Sequence, residues 1–326
     1  MYETHFGLRE RPFDLTPNPR FLFMSRRHRE ALTHVRYGLA GRPGITVIVG
    51  EAGLGKTTLL RTALSAPDVP ASRIVHLSNP TLTRPEFFEY LAAGFGFAPE
   101  AGTSKTRFLR YLEVALLRPD AGVMALIVDE AQSLSHELLE EVRLLTNVNG
   151  AGDRTLALML VGQPELAVRL SEPRLRQLKQ RVTLRCELMP FELKETAAYI
   201  STRVRCAGGS ADGLFTRDAI ITIHERSSGI PRTINVICEN ALINGFAADV
   251  RPVGRDIVLE VCRDFDLGEK ATPAPSPVRS PAAEAVMAVA SGTAVAQYAA
   301  ARPNDRGPES RPLFSGFNRA RRFLFF

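Results

Sequence analysis

The sequence predicts an α/β protein: a parallel sheet covered by helices on both faces, then a small all-helical domain, then a low-complexity tail. Three observations predict it. Short, wholly apolar runs alternate with stretches of helical spacing, the pattern of strands buried on both faces. The strand signal stops after Pro190 while helical spacing continues. From about Lys270 the composition turns to Pro, Ala and Ser (APSPVRSPAAEA), too poor in large apolar side chains to offset the entropy of ordering.

In chain order, residues 1–43 are a lead-in rich in Pro and Phe, expected to pack on the core, with a helix over Arg26–Ala40. Residues 44–190 form the α/β core. Strands are predicted at Thr46–Val49, Arg73–Leu77, Val123–Val128, Leu156–Val161 and, from its alternation, Val182–Leu188. Between them, helices are predicted at Lys56–Ser65, Glu86–Phe95, Thr106–Leu117 and His136–Leu145. Residues 191–268 read as a helical lid with helices at Leu193–Ala207, Thr216–Arg226, Pro231–Ala247 and Arg255–Phe265, and a loop at Gly208–Gly213. Residues 269–326 are the low-complexity tail.

The chain has 326 residues, 45% of them apolar and 23% charged, enough for a large buried core. The N-terminus MYETHFGLRERPF holds no apolar stretch of signal-peptide length, and no run is long enough to span a membrane. A cytoplasmic protein is expected, with any membrane contact peripheral. Cys186, Cys206, Cys238 and Cys262 match no metal spacing and read as small buried apolar residues. Net charge is +6, but seven arginines against three acids place +4 of it after residue 270. The first 270 residues therefore carry only +2, which does not argue for a nucleic-acid-coating surface.

The chemistry begins at Gly50-Glu51-Ala52-Gly53-Leu54-Gly55-Lys56-Thr57, which fits G-x-x-x-x-G-K-[ST] between a strand and a helix. Glycines let the backbone close round phosphates, and successive N–H groups with the helix N-terminus face the negative charge. Gly50 to Thr57, with Thr58, are the expected ATP-binding residues. Lys56 would reach the β- and γ-phosphates and the Thr57 hydroxyl would ligate Mg²⁺. Ala125-Leu126-Ile127-Val128-Asp129-Glu130 is an apolar strand ending in two acids. At the C-terminal edge of a parallel strand these lie in the ligand crevice. Asp129 would hold Mg²⁺, and Glu130 would polarise the attacking water. That second acid points to hydrolysis. Gln163 ends the next apolar strand, where it could orient the water or sense the γ-phosphate. No N-K-x-D-like reader of guanine appears, so ATP is expected over GTP.

These pieces resemble the AAA+ ATPases, and more closely the general secretion pathway protein A (ExeA) group. The residues that carry the likeness are HFGLRERPFDLTPNPRFLFMSRRHREAL, GEAGLGKTTLLR, VDEAQSLSHELLEEVRLLTN, LVGQPEL, LRQLKQRV and SSGIPRTINVICENAL, spanning roughly residues 1–265. The resemblance implies a P-loop AAA+ core with a helical lid, acting as a homo-oligomeric ring. It implies sensor 1 at Gln163, an arginine finger at Arg181 with Arg176 as rival, and sensor 2 at Arg232. His5 and Phe13 are candidates for the adenine pocket. The partners implied are secretion, pilus or exopolysaccharide-export proteins of the envelope. Longer members continue into a membrane span and a peptidoglycan-binding domain, where this chain has its tail ending RARRFLFF, read as an unstructured remnant, with contact to a membrane surface or partner through its Arg-aromatic character as the alternative. The alternative is a DNA-associated ATPase of the transposition-helper or initiator type, which shares this core.

Overall fold

The computed structural model describes residues 1–16, 18–39, 44–65, 73–78, 80–118, 122–148, 155–210 and 213–267. The prediction of a low-complexity tail at 269–326 lies outside them.

The core is built on strands β1 (Ile45–Val49), β2 (Arg73–Leu77), β3 (Met124–Val128), β4 (Ala157–Gly162) and β5 (Val182–Glu187). They form one parallel sheet in the order β2-β3-β4-β1-β5. Helices α1 (Tyr2–Phe6) and α2 (Arg26–Leu39) precede β1, and α3 (Lys56–Leu64) follows it. Helices α4 (Arg84–Gly94) and α5 (Lys105–Leu117) join β2 to β3, and α6 (His136–Leu145) joins β3 to β4. The short helices α7 (Pro164–Arg169) and α8 (Arg176–Lys179) lead to β5. After it come α9 (Leu193–Cys206), α10 (Arg217–Ser227), α11 (Pro231–Ala247) and α12 (Arg255–Asp264).

The apolar runs are explained by burial on both faces. Ile45, Val47, Val49, Leu126, Val128, Leu158 and Leu160 pack under α4 to α8. Their alternating neighbours Ile48, Ala125, Ile127, Met159 and Val161 pack under α2 and α3. Each large aliphatic side chain so buried contributes about 1.5–3 kcal/mol, which is why β1, β3 and β4 hold no polar face. β5 is an edge strand, as β2 is, and its half-exposed alternation is what marks it in the sequence.

The lead-in departs from expectation. Helix α2 packs on the α/β core through Ala31, Val35 and Leu39, with Met24 just before it. Tyr2, Phe6, Leu8, Phe13 and Phe21 instead join Tyr199, Ile200, Ile234, Ile237 and Leu242 in the apolar cluster of the helical region. The reason is area: α9 to α12 are too few to enclose a core alone, and the aromatic lead-in fills it. Cys186, Cys238 and Cys262 are buried free thiols as expected, while Cys206 is half-buried.

Candidate nucleotide-binding site

The loop Gly50–Gly55 leaves the C-terminal end of β1 and delivers the chain into α3. Gly53 has φ +85°, and a Cβ there would lie 2.8 Å from Cβ of Arg232 at the start of α11. Only glycine fits so tight a left-handed position. An anion-binding loop must have its carbonyls satisfied elsewhere. Lys56 Nζ donates to the carbonyls of Gly50 (2.8 Å) and Glu51 (3.0 Å). The backbone N–H of Arg232 donates to Gly53 O (3.3 Å). His28 Nε2 lies 3.0 Å from Leu54 O. Burial pushes the Lys56 ammonium down from the ordinary lysine range, and the charges of Glu130 and Asp129 oppose that shift.

Across the sheet edge, β3 presents its two acids. Thr57 Oγ1 donates to Asp129 Oδ2 at 2.9 Å. The N–H of Glu130 donates to Asp129 Oδ1 at 3.0 Å. Glu130 has φ +52°, a left-handed conformation costing about 1–3 kcal/mol for a side-chain-bearing residue and typical of functional turns. Its Oε2 accepts from Gln132 Nε2 (2.5 Å) and Gln163 Nε2 (3.1 Å). Burial acts to raise the Glu130 pKa, but the two amide donors and Lys56 outweigh it and hold the carboxyl below its usual range. Glu130 is therefore ionised at neutral pH. Gln132 is itself held: its Oε1 accepts from the Gln163 N–H at 3.0 Å. Arg169 Nη1 donates to the Gln132 carbonyl and, at 2.7 Å, to that of Leu134.

A cavity of about 400 Å³ opens over this arrangement, within the size range of ligand sites. The loop from Ala52 through Thr58 and Glu130 form one wall. The lead-in and the helical region form the other, with Phe21, Phe23, Phe191, Tyr199, Arg232 and Asn235. Tyr199 OH donates to Asn235 Oδ1 (2.7 Å) and accepts from Arg203 Nη1 (2.9 Å). The buried Arg203 guanidinium donates also to the carbonyls of Pro12 and Asp14, and lies 5.0 Å from the Phe21 ring centroid. It pins the lead-in to α9.

The geometry thus brings together the loop residues, Lys56, Thr57, Asp129, Glu130 and Gln163, with Arg232 on the same cavity. Arg181 is not among them. It precedes β5, at the opposite end of the parallel strands, where exposed Nη2 donates to Asn147 Oδ1 at 2.8 Å. Arg176 is exposed on α8. His5 and Phe13, candidates for the adenine wall, do not line the cavity. The His5 ring packs on Phe6 and Phe246, and Phe13 is fully buried against Phe215. Their aromatic faces are consumed by the helical cluster, and Phe21 and Phe23 form the wall instead. His28, Gln132 and Arg169 escape a reading of motifs. His28 had a signal: it lies on the apolar stripe of α2 with Ala31 and Val35, where a polar ring must have a buried partner.

Among the described residues no group of three or more His, Cys, Asp or Glu could hold a metal alone. The Thr57–Asp129 pair is nonetheless a fit for Mg²⁺. That ion prefers hard oxygens and is held by one or two protein groups together with phosphates and water.

A parallel sheet with a phosphate loop after β1, an acid pair after β3 and a helical region closing the cavity is the P-loop AAA+ fold. The family model described as AAA domain matches residues 39–170. Among solved structures, the Aeropyrum pernix ORC2 protein (ADPNP–ADP complexes) superposes with a TM-score of 0.59 at 17% identity, over 78% of this chain and 71% of that one. The Aeropyrum pernix ORC1 protein in complex with DNA gives 0.57 at 16% identity, over 79% and 70%. These show the fold alone.

The resemblance to the general secretion pathway protein A group holds. The chain is 41% identical over 251 residues to General secretion pathway protein A of Aeromonas hydrophila, covering 76% of this chain and 45% of that relative. It therefore spans under half the length of the relative it matches. Among the described residues no helix is long and apolar enough to cross a membrane.

Proposed function

We propose that this protein binds ATP with Mg²⁺ and hydrolyses it to drive or regulate assembly of a secretion, pilus or exopolysaccharide-export system. The observation that carries the chemistry is the meeting, at one sheet edge, of Lys56, the Thr57–Asp129 pair and a Glu130 carboxylate held by Gln163. The identity to the secretion protein supports the setting. In this reading residues 44–190 are the ATPase core, 191–268 the lid, 1–43 the lead-in and 269–326 an appended tail.

The Lys56 ammonium exchanges two carbonyls for phosphate oxygens. Thr57 and Asp129 hold the Mg²⁺, which neutralises phosphate charge when bound. Ionised Glu130 accepts a proton from the attacking water, and Gln163 orients that water. Arg232 carries the phosphate state into α11. Arg181, remote from its own chain's cavity, serves a neighbouring subunit of a homo-oligomeric ring, stabilising charge on the transferred group. The protein works in the cytoplasm, at most peripherally at the inner membrane.

The test separates binding from turnover. Lys56→Ala should abolish ATP binding. Glu130→Gln should bind ATP normally and lose about 10²–10⁴-fold in turnover. Retained turnover would remove Glu130 from the mechanism, and tight binding by Lys56→Ala would overturn the site. A second reading, a DNA-associated ATPase, is favoured by the solved neighbour seen with DNA. The small +2 charge of the first 270 residues weighs against it.

A further inference from the structure

We infer that His28 is a positioning residue that keeps the phosphate loop in its anion-ready shape by holding the carbonyl of Leu54. The inference rests on the phosphate-site reading above and adds to it a group outside the phosphate loop, from the lead-in block MSRRHREAL.

The loop's carbonyls are acceptors that need donors. The N–H of Leu59 in α3 takes the Gly55 carbonyl, and donors from three further residues reach others. Lys56 holds those of Gly50 and Glu51, the N–H of Arg232 holds that of Gly53, and His28 holds that of Leu54. Lys56 is the very group that phosphates draw away. Arg232 belongs to α11, in the helical region. His28 alone of the three sits on α2, which packs on the sheet, so its grip does not depend on the nucleotide.

The ring is fixed on all sides. Ser25 Oγ lies 2.8 Å from His28 Nδ1, and the residue is 3% exposed. A hydroxyl donating to Nδ1 sets the tautomer that carries its proton on Nε2, the atom 3.0 Å from Leu54 O. The ring is tilted against Phe191, with centroids 5.6 Å apart. Phe191 in turn donates its N–H to Gly229 O at 2.9 Å, at the turn between α10 and α11. Burial pushes the imidazole pKa down, so the neutral donor persists at physiological pH. Without this donor, Leu54 O would be a buried acceptor left unsatisfied. The loop would relieve that by rotating the peptide between Leu54 and Gly55, which spoils the N–H array facing the anion.

The experiment compares the full chain with His28→Gln and His28→Leu. Both fill the site, but only Gln can donate from the Nε2 position. Affinity for a fluorescent ATP analogue is measured by titration, with competition by inorganic tripolyphosphate and thermal unfolding in nucleotide-free buffer. His28→Gln should bind within about threefold of wild type. His28→Leu should lose about tenfold or more for both the analogue and tripolyphosphate, the cost of one unmade hydrogen bond, at a melting temperature matching that of His28→Gln. Equal affinities for the two variants, whether both retained or both lost, would overturn the inference. Imidazole added to His28→Gly should restore tripolyphosphate binding, and no recovery there would also count against it. If wild type fails to bind, or Lys56→Ala binds as well as wild type, the phosphate-site reading itself falls.

Discussion

In the function proposed above, Glu130 is the residue on which the chemistry converges, and its surroundings explain its state. Two amides from Gln132 and Gln163 converge on one carboxylate oxygen, and Arg169 secures the backbone from which Gln132 reaches. Gln132→Ala should therefore lower kcat by about tenfold while KM changes little, because Glu130 loses its aim and not its charge. Steady-state kinetics check this, and a KM effect alone would assign Gln132 to binding. Lys56 gives a second prediction, with its sign set by linkage. Its pKa is depressed in the free protein by burial, and phosphate favours the charged form. ATP affinity should fall as pH rises through that depressed value, before an ordinary lysine would titrate. Calorimetry in buffers of different ionisation enthalpy should show proton uptake on binding there, and Lys56→Ala should lack it.

At the scale of elements, the turn between α10 and α11 is the joint that fixes the cavity's far wall. Gly229 has φ +73°, and a Cβ there would lie 2.1 Å from the carbonyl oxygen of Phe191. Gly229→Ala should cost about 2–4 kcal/mol in urea unfolding, combining left-handed strain with a backbone clash. A loss under half of that would mean the joint yields. The contact of α1 with α11 is pH-sensitive. Tyr2 OH donates to Glu239 Oε2 at 2.8 Å, and burial raises the Glu239 carboxyl above its ordinary value. Between those two values the folded state holds the proton more tightly than the unfolded chain, so stability falls as pH rises through the window. Glu239→Gln should melt higher than wild type near about pH 8, and the gap should close near about pH 4. The long helices were legible because each has an apolar stripe. The helices α1, α7 and α8 were not, since 5, 6 and 4 residues are too few to show a 3.6-residue period. Helix α4 starts at Arg84, two residues before the apolar pattern does, because Thr83 and Glu86 close a capping box round its first turn.

For the whole molecule the question is whether the site is complete in one chain. Arg181 stands at the far end of the sheet from its own phosphate loop, so a role in turnover requires a neighbour. Specific ATPase activity should then climb with protein concentration and be indifferent to duplex DNA. Strong stimulation by DNA would favour the initiator-like reading instead. Arg181→Ala should be inactive alone and regain activity when mixed with Glu130→Gln, each supplying what the other lacks. Failure to recover would leave Arg181 without a role across subunits.

That the G-x-x-x-x-G-K-T loop, the acid pair and Gln163 lie at one sheet edge was readable from the sequence. Each is a short run whose chemistry follows from contiguous spacing at the end of an apolar strand, and strand ends of a parallel sheet share one edge. The same holds for the layered α/β core, since wholly apolar strands require cover on both faces. Tertiary structure alone decided the rest. His28 meets Leu54 across 26 residues, Gln132 meets Gln163 across 31, and Arg203 meets Pro12 across 191. It also moved the cavity's aromatic wall from His5 and Phe13 to Phe21 and Phe23, and drew the start of the chain onto the helical region. Periodicity reports that a side chain is buried. Which partner it is buried against depends on the strand order β2-β3-β4-β1-β5 and on where four helices leave apolar surface uncovered, and neither is a local property of the chain.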